Sequence, residues 1–359
     1  MDPGRRGDGV LEPRGEEEPE AFEEYLEAVE ECFERGWTDG LPVVPPSPRG
    51  LERMLAGTRL PPGEIVARVP PAGGEATVEK IALNALMAGC RPDYLPAVIA
   101  AVRAVCRPEV NIGAVQGTTS DAAPLLIFNG PVVRRIGLNF AHNCLGQGNR
   151  ANATIGRAVR LILMNLGGAL PGRIDMSTLG MPGKYTYCMA ENEAASPWEP
   201  LHVERGFAPG DSAVTVHCGG APVEILDHAN RGARGILSTV AHALSTAEIL
   251  YAHAQVLLIF SPEHARGIAD DGWSKDDVRR FLFERARLRL GQVRGLGEWH
   301  PENLKLWPRW MEREDDAALI PVLHSPEHLL IAVAGSGAGR FTAYVKGWGT
   351  RAATARVED

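Results

Sequence analysis

The sequence predicts an α/β fold: two related α/β lobes with short buried strands, and a long polar, site-forming segment between them. Three observations carry this reading. The first is a pair of short apolar runs, Leu125-Leu126-Ile127-Phe128 and Leu257-Leu258-Ile259-Phe260, identical letter for letter. Apolar runs of this length flanked by turn residues suit strands buried on both faces. The second is that each run follows a helical pattern and leads into a proline-started turn. NGPVVRRIG follows one and SPEHARGIA the other, so that Arg134 aligns with Arg266 and Ile136 with Ile268. The third is the stretch 144–206, where Asn149, Arg150, Lys184, Glu191, His202 and other polar residues crowd among glycines and prolines. Long irregular segments in compact domains are usually functional or disordered. Tyr185, Tyr187, Met189 and Trp198 argue for order here.

Residues 1–19 are charged and rich in Gly and Pro, and read as a disordered tail. Residues 20–46 read as an N-terminal helix with an apolar stripe of Phe22, Leu26, Val29 and Phe33, then an extended arm. Gly36 ends the helix, Asp39-Gly40 turns the chain, and the following prolines keep the arm extended. Asp39 is placed to line a cleft. The first lobe spans 47–143. Thr77 caps a helix through Ile81, Leu83, Leu86 and Met87 that closes at Gly89, and a second helix carries Leu95, Val98, Ile99, Val102 and Val105. The site-forming segment occupies 144–210 and the second lobe 211–359. In the second lobe a helix over 236–254, the repeated strand and a further strand from Leu329 to Ala334 are expected. Ser274 caps a helix whose first turn holds Asp276 and Asp277, a structural feature.

The chain has 359 residues, 45% of them hydrophobic and 23% charged, and a net charge of −8. That balance is ordinary for a globular protein and does not indicate a nucleic-acid surface. The acidic run from Glu16 to Glu31 reads as a solvated face. No secretory signal and no membrane-spanning run are apparent. The six cysteines form no Cys-x-x-Cys pair and match no zinc module, so a cytoplasmic protein with reduced thiols is expected.

Three stretches carry candidate chemistry. Gly146 to Arg157 is a Gly-rich loop entering a helix, where free N–H groups suit an anion. Arg150 and Arg157 would add bidentate contacts, with Asn152 beside them. The competing reading is a tight turn, with Arg157 paired to an internal acid. The loop matches neither nucleotide-binding fingerprint, so no nucleotide cofactor is implied. Residues 182–193 alternate in part, which puts Lys184, Thr186 and Cys188 on one face of a strand. Lys184 beside Glu191 or Glu193 would supply acid and base. Cys188 is the candidate thiol, against the alternative of a buried inert one, and Cys144 and Cys218 stand behind it. For the two glutamates the alternative is salt bridges to nearby arginines. Finally, Glu199, His202 and Glu204 form a metal set if they converge. His242, His253 and His264 read as packing or surface histidines.

The strings DGLPVVPP (39–46), TVEKIALNALMAGCRPDYLPAV (77–98), NRANATIGRA (149–158), PGKYTYCMAENE (182–193), PWEPLHVERG (197–206) and SPEHARGIADDGWSKDDVR (261–279) extend this reading. Through them the chain resembles a large family of uncharacterised bacterial proteins associated with selenoproteins and cysteine homologues that carry a Sec/Cys-Gly-Ser-Cys motif. The resemblance covers most of 37–350. The motif itself is missing, and Gly335-Ser336-Gly337 is the nearest string. The resemblance therefore implies that any such redox chemistry needs a small thiol- or selenol-bearing partner protein. The expectation is an enzyme, or its large subunit, acting on a small anionic molecule. Arg150, Asn152, Arg157 and Arg205 would bind it together with Thr118 and Thr119. Lys184, Glu191 and Glu193 would handle protons, with Cys188 as a possible nucleophile. Lys184→Ala or Glu191→Ala would then abolish turnover without unfolding the protein. The alternatives are a scaffold for the thiol-bearing partner and a metal-dependent hydrolase or lyase. Reaction class, cofactor and oligomeric state are left open.

Overall fold

A computed structural model describes residues 19–246, 255–296 and 315–358. The expected tail over 1–18, His253 and the end of the 236–254 helix lie outside the described residues. The chain is an α/β protein. Helix α1 (Pro19–Glu34) ends at Gly36, and its backbone there is left-handed (φ 68°), a conformation glycine adopts without cost. The arm follows, then α2 (Pro48–Leu55) and the hairpin of β1 (Ile65–Val69) and β2 (Gly74–Thr77). Helices α3 (Val78–Met87) and α4 (Leu95–Val105) come next, with the Thr77 hydroxyl capping α3 as its sequence indicates. The short α5 (Ile112–Gly117) leads into β3 (Ala123–Asn129), followed by α6 (Val132–Arg135).

The polar segment is more regular than its composition suggests. It contains α7 (Arg150–Asn165), β4 (Cys188–Ala190) and α8 (Leu201–Glu204). Helix α7 is amphipathic, and Ile155, Leu161 and Ile162 pack with α3 and α4 in one core. Strand β4 pairs in parallel with β3. The segment is thus built into the first half of the molecule, because α7 has an apolar face to bury there. The expected alternation holds only from 186 to 189: Pro182–Lys184 is a 3₁₀ turn, and Tyr185 stays half exposed.

The long β5 (Ala213–Leu226) carries the sheet across the molecule. Helix α9 (Ala233–Leu244), β6 (Val256–Phe260), α10 (Pro262–Asp270) and α11 (Lys275–Arg285) follow. Beyond them lie a small hairpin of β7 (Arg287–Arg289) and β8 (Leu319–Pro321), and α12 (Leu290–Val293). The chain closes with β9 (Leu329–Val333), β10 (Phe341–Gly347) and β11 (Ala353–Arg356).

The main sheet has the order β4-β3-β5-β10-β6-β9, with β11 also on β5. It reads the same from either end. β3 is parallel to β4 and antiparallel to β5, while β6 is parallel to β9 and antiparallel to β10. The repeated tetrads occupy equivalent places: Leu126 faces Cys188 and Leu258 faces Ile331. Each half keeps its own outer helices, with α3, α4 and α7 on one and α9, α10 and α11 on the other. The inner faces share one core, in which Leu125, Ile127 and Met189 meet Leu257, Ile259 and Leu330. The sheet curls until its ends touch, where the Asn192 N–H donates to the Val333 carbonyl at 2.7 Å. The two halves are therefore joined by a continuous sheet and a common interior, without a groove between separate lobes at this seam.

Candidate functional site

Helix α7 places Arg157, Arg160 and Met164 on one face, because residues three and four apart lie above one another. Gly156 lets the helix approach β4: a side chain there would meet the Thr186 hydroxyl at 2.4 Å and the Tyr187 nitrogen at 2.8 Å. In front of this face the chain folds over 169–185 into a series of turns. The Asp175 carboxylate accepts from the Ser177 N–H at 3.1 Å, the Ser177 hydroxyl accepts from the Gly180 N–H at 3.1 Å, and the Thr178 N–H donates to the Thr119 carbonyl at 2.9 Å. Together with Asp39 of the arm they enclose a cleft of about 550 Å³. Volumes of this size are typical of small-molecule sites.

Charge is concentrated at the base of the cleft. Lys184 Nζ lies 2.7 Å from both oxygens of Asp175. Arg160 is only 6% exposed; its Nε donates to the Lys184 carbonyl at 2.6 Å and its Nη1 to Gln116 Oε1 at 2.7 Å. No carboxylate pairs with it, and Nη2 makes no bond among the described residues. Burial lowers the guanidinium's proton affinity, and the more distant carboxylates of Asp175 and Asp39 counter this. Gln116 Nε2 is likewise buried without a partner. A buried cation that lacks its counter-charge costs several kcal/mol, about as much as breaking a buried ion pair.

Of the residues the sequence singles out, Lys184 and Asp39 line this cleft, and Arg157 stands outside its lining. Arg157 holds the arm: Nε and Nη2 grip both oxygens of Asp39 at 2.8 and 2.7 Å, and Nη2 also reaches the Leu41 and Pro42 carbonyls. This is the internal pairing that competed with the anion reading. Arg150 donates twice to the Gly89 carbonyl and Arg205 to the Thr354 hydroxyl and the Ala352 carbonyl, so both tie elements together. Asn152 is buried between the Asn139, Cys144 and Cys188 carbonyls. Asn149 caps α7. The Thr118 hydroxyl caps the Ser120 N–H and Thr119 contributes its carbonyl to the turns. The Gly-rich loop thus has its two arginines directed away from its N–H groups.

Lys184 is not brought to the glutamates. Glu191 is buried where β3, β4, β9 and α8 meet: Oε2 accepts from Asn129 Nδ2 at 2.7 Å and the Leu201 N–H at 2.8 Å, and Oε1 from the Val333 N–H at 3.2 Å. Burial pushes its carboxyl up, and Lys275 and these donors oppose that. Glu193 Oε1 accepts from Asn129 Nδ2 and the Gly130 N–H. Neither pairs with an arginine. His202 lies 3.9 Å from Glu193, fully buried, with neither ring nitrogen hydrogen-bonded. Glu204 binds Lys275 and Arg279, and Glu199 is exposed. The Glu199, His202 and Glu204 set does not converge, and among the described residues no group of three or more such ligands is suited to a metal.

Burial disfavours the thiolate at Cys188, Cys144, Cys218, Cys90 and Cys106. Burial pushes Cys188 up, and does the same for Cys144; Cys218 and Cys90 rise to about 12 and Cys106 to about 11. His217 and Cys218 diverge, with His217 reaching the Val345 carbonyl. His264 is a satisfied packing histidine between Thr342 and Asp227. Among the described residues no helix is long and apolar enough to cross a membrane. Comparison with protein-family models and with curated proteins finds no match.

Proposed function

We propose that this chain is an enzyme, or the large subunit of one, that binds a small anionic molecule in the cleft between α7 and the 169–185 turns. The observation that carries the reading is Arg160, a buried guanidinium facing the cleft with no carboxylate partner. Lys184 and Asp175 beside it form a proton-handling pair: the ammonium gives a proton or stabilises developing negative charge, and the carboxylate accepts one. Such roles suit hydrolytic or lyase chemistry. Thiol-dependent chemistry would need a thiol or selenol carried by another protein, because burial disfavours the thiolate in this chain.

Isothermal titration of the full chain with acetate and with inorganic phosphate tests the reading. Saturable binding of at least one anion, weakened at least tenfold in Lys184→Met, is expected. No binding, or identical binding by that variant, removes the basis for the proposal.

A further inference from the structure

The cleft changes character from base to mouth. At the base lie Arg160 and the Lys184–Asp175 pair, all largely buried. Along the walls are Met164 and Met181. At the mouth stand Tyr185, 47% exposed, and Leu179, 95% exposed. Leu179 stands out into solvent from the tight turn that the Ser177 hydroxyl closes onto Gly180. An exposed leucine alone needs no explanation. A leucine, a tyrosine and two flexible, polarisable methionines arranged around one opening, above a buried guanidinium with no direct carboxylate partner among the described residues, form a surface that favours one kind of molecule.

We infer that the cleft takes an amphipathic carboxylate, with its head at Arg160 and Lys184 and an aliphatic or aromatic body against Met164, Met181, Tyr185 and Leu179. This rests on the anion-binding reading above and adds the class of molecule. A fully polar anion such as phosphate would satisfy the base and leave the mouth wetted on apolar surface. A neutral apolar molecule would cover the mouth and leave Arg160 with only the more distant Asp175 and Asp39 carboxylates. A carboxylate with a hydrocarbon body satisfies both ends at once. Its head would meet Arg160 Nη2 and the Lys184 ammonium, which also faces Asp175. The methionines would let bodies of somewhat different shape fit the same walls.

The experiment is titration calorimetry of the full chain with acetate, butanoate, hexanoate and octanoate, with hexanol and inorganic phosphate as controls. Each added methylene buried is expected to tighten binding about fourfold, as burial of about 0.8 kcal/mol per CH₂ requires. Hexanol is expected to bind at least tenfold more weakly than hexanoate. Leu179→Ser, at an exposed position where folding is not at risk, is expected to weaken octanoate about tenfold and leave acetate unchanged. Equal affinities across the acids, with Lys184 still required, would overturn the amphipathic assignment and leave the anion site standing. Hexanol binding as tightly as hexanoate would overturn the role of the head group. Failure of every anion to bind would remove both readings.

Discussion

Glu191 was expected to act on a substrate, but its surroundings give it a different task. Two backbone N–H groups and the Asn129 amide converge on a carboxylate with no access to water. Glu191→Ala leaves those donors buried and unmet, and is expected to lower stability by about 3–5 kcal/mol, read from denaturant unfolding. A variant of native stability would refute this assignment. His217 gives a second test. It is fully buried and its affinity for a proton falls from 6.5 to about 4. The unfolded chain takes up that proton first, so stability is complete above about pH 6.5 and is lost as pH falls toward 4. Between pH 7 and 5 the loss from this group is about 2 kcal/mol, and His217→Gln is expected to flatten that part of the profile. The residue that best marks the cleft, Arg160, was open to view as the one charge inside the run Ala158-Val159-Arg160-Leu161-Ile162. Of the neighbouring arginines, Arg150 opens α7 and Arg157 lies two turns in, so the Gly-rich loop before the helix carries the stronger local anion signal. Asp175 and Gln116 carry no local signal; only folding brings them to α7.

At the scale of elements, caps and breakers were legible because their physics is local. Thr77, Ser274 and Gly36 act where their sequence neighbourhoods place them. Strand β4 was harder to place: three residues long, it owes its existence to pairing with β3. The ion pair from Arg157 of α7 is one of several ties on the N-terminal arm, beside the Asn165 amide on the Trp37 carbonyl, the Val44 N–H on the Met87 carbonyl and buried Val43. Arg157→Ala would leave Asp39, whose side chain is 3% exposed, without its partner. The expected result is a loss of about 3 kcal/mol. Hydrogen exchange over 37–44 is expected to accelerate more than exchange in α3 or α4. Uniform acceleration throughout the chain would show that the arm is not a separate unit.

At the scale of the whole molecule, the repeated tetrads pointed to two halves, and the sheet gives those tetrads matching positions. The curl that brings β4 to β9 could not be read, because it depends on contacts between residues more than a hundred positions apart. The shared inner core and the β5–β10 pairing make the halves interdependent. Unfolding monitored by circular dichroism and by tryptophan fluorescence is expected to give one coincident transition. Separate fragments 1–210 and 211–359 are expected to lack dispersed methyl resonances, since the cut bares β3 on one side and opens the interior of both. A well-folded fragment would show that the interior is not shared in the way described.

The arm also has a consequence for how the cleft is exposed to outside events. Asp39 is part of the cleft wall, yet it reaches that position only as a latched strap from the start of the chain. One side of the cleft is thus covalently continuous with α1, and attached to the body by Arg157, by Asn165 and by buried Val43. A protease that nicks the strap would open the cleft while the halves stay closed around their common interior. The rate of such nicking would serve as an outside gauge of whether the cleft is filled.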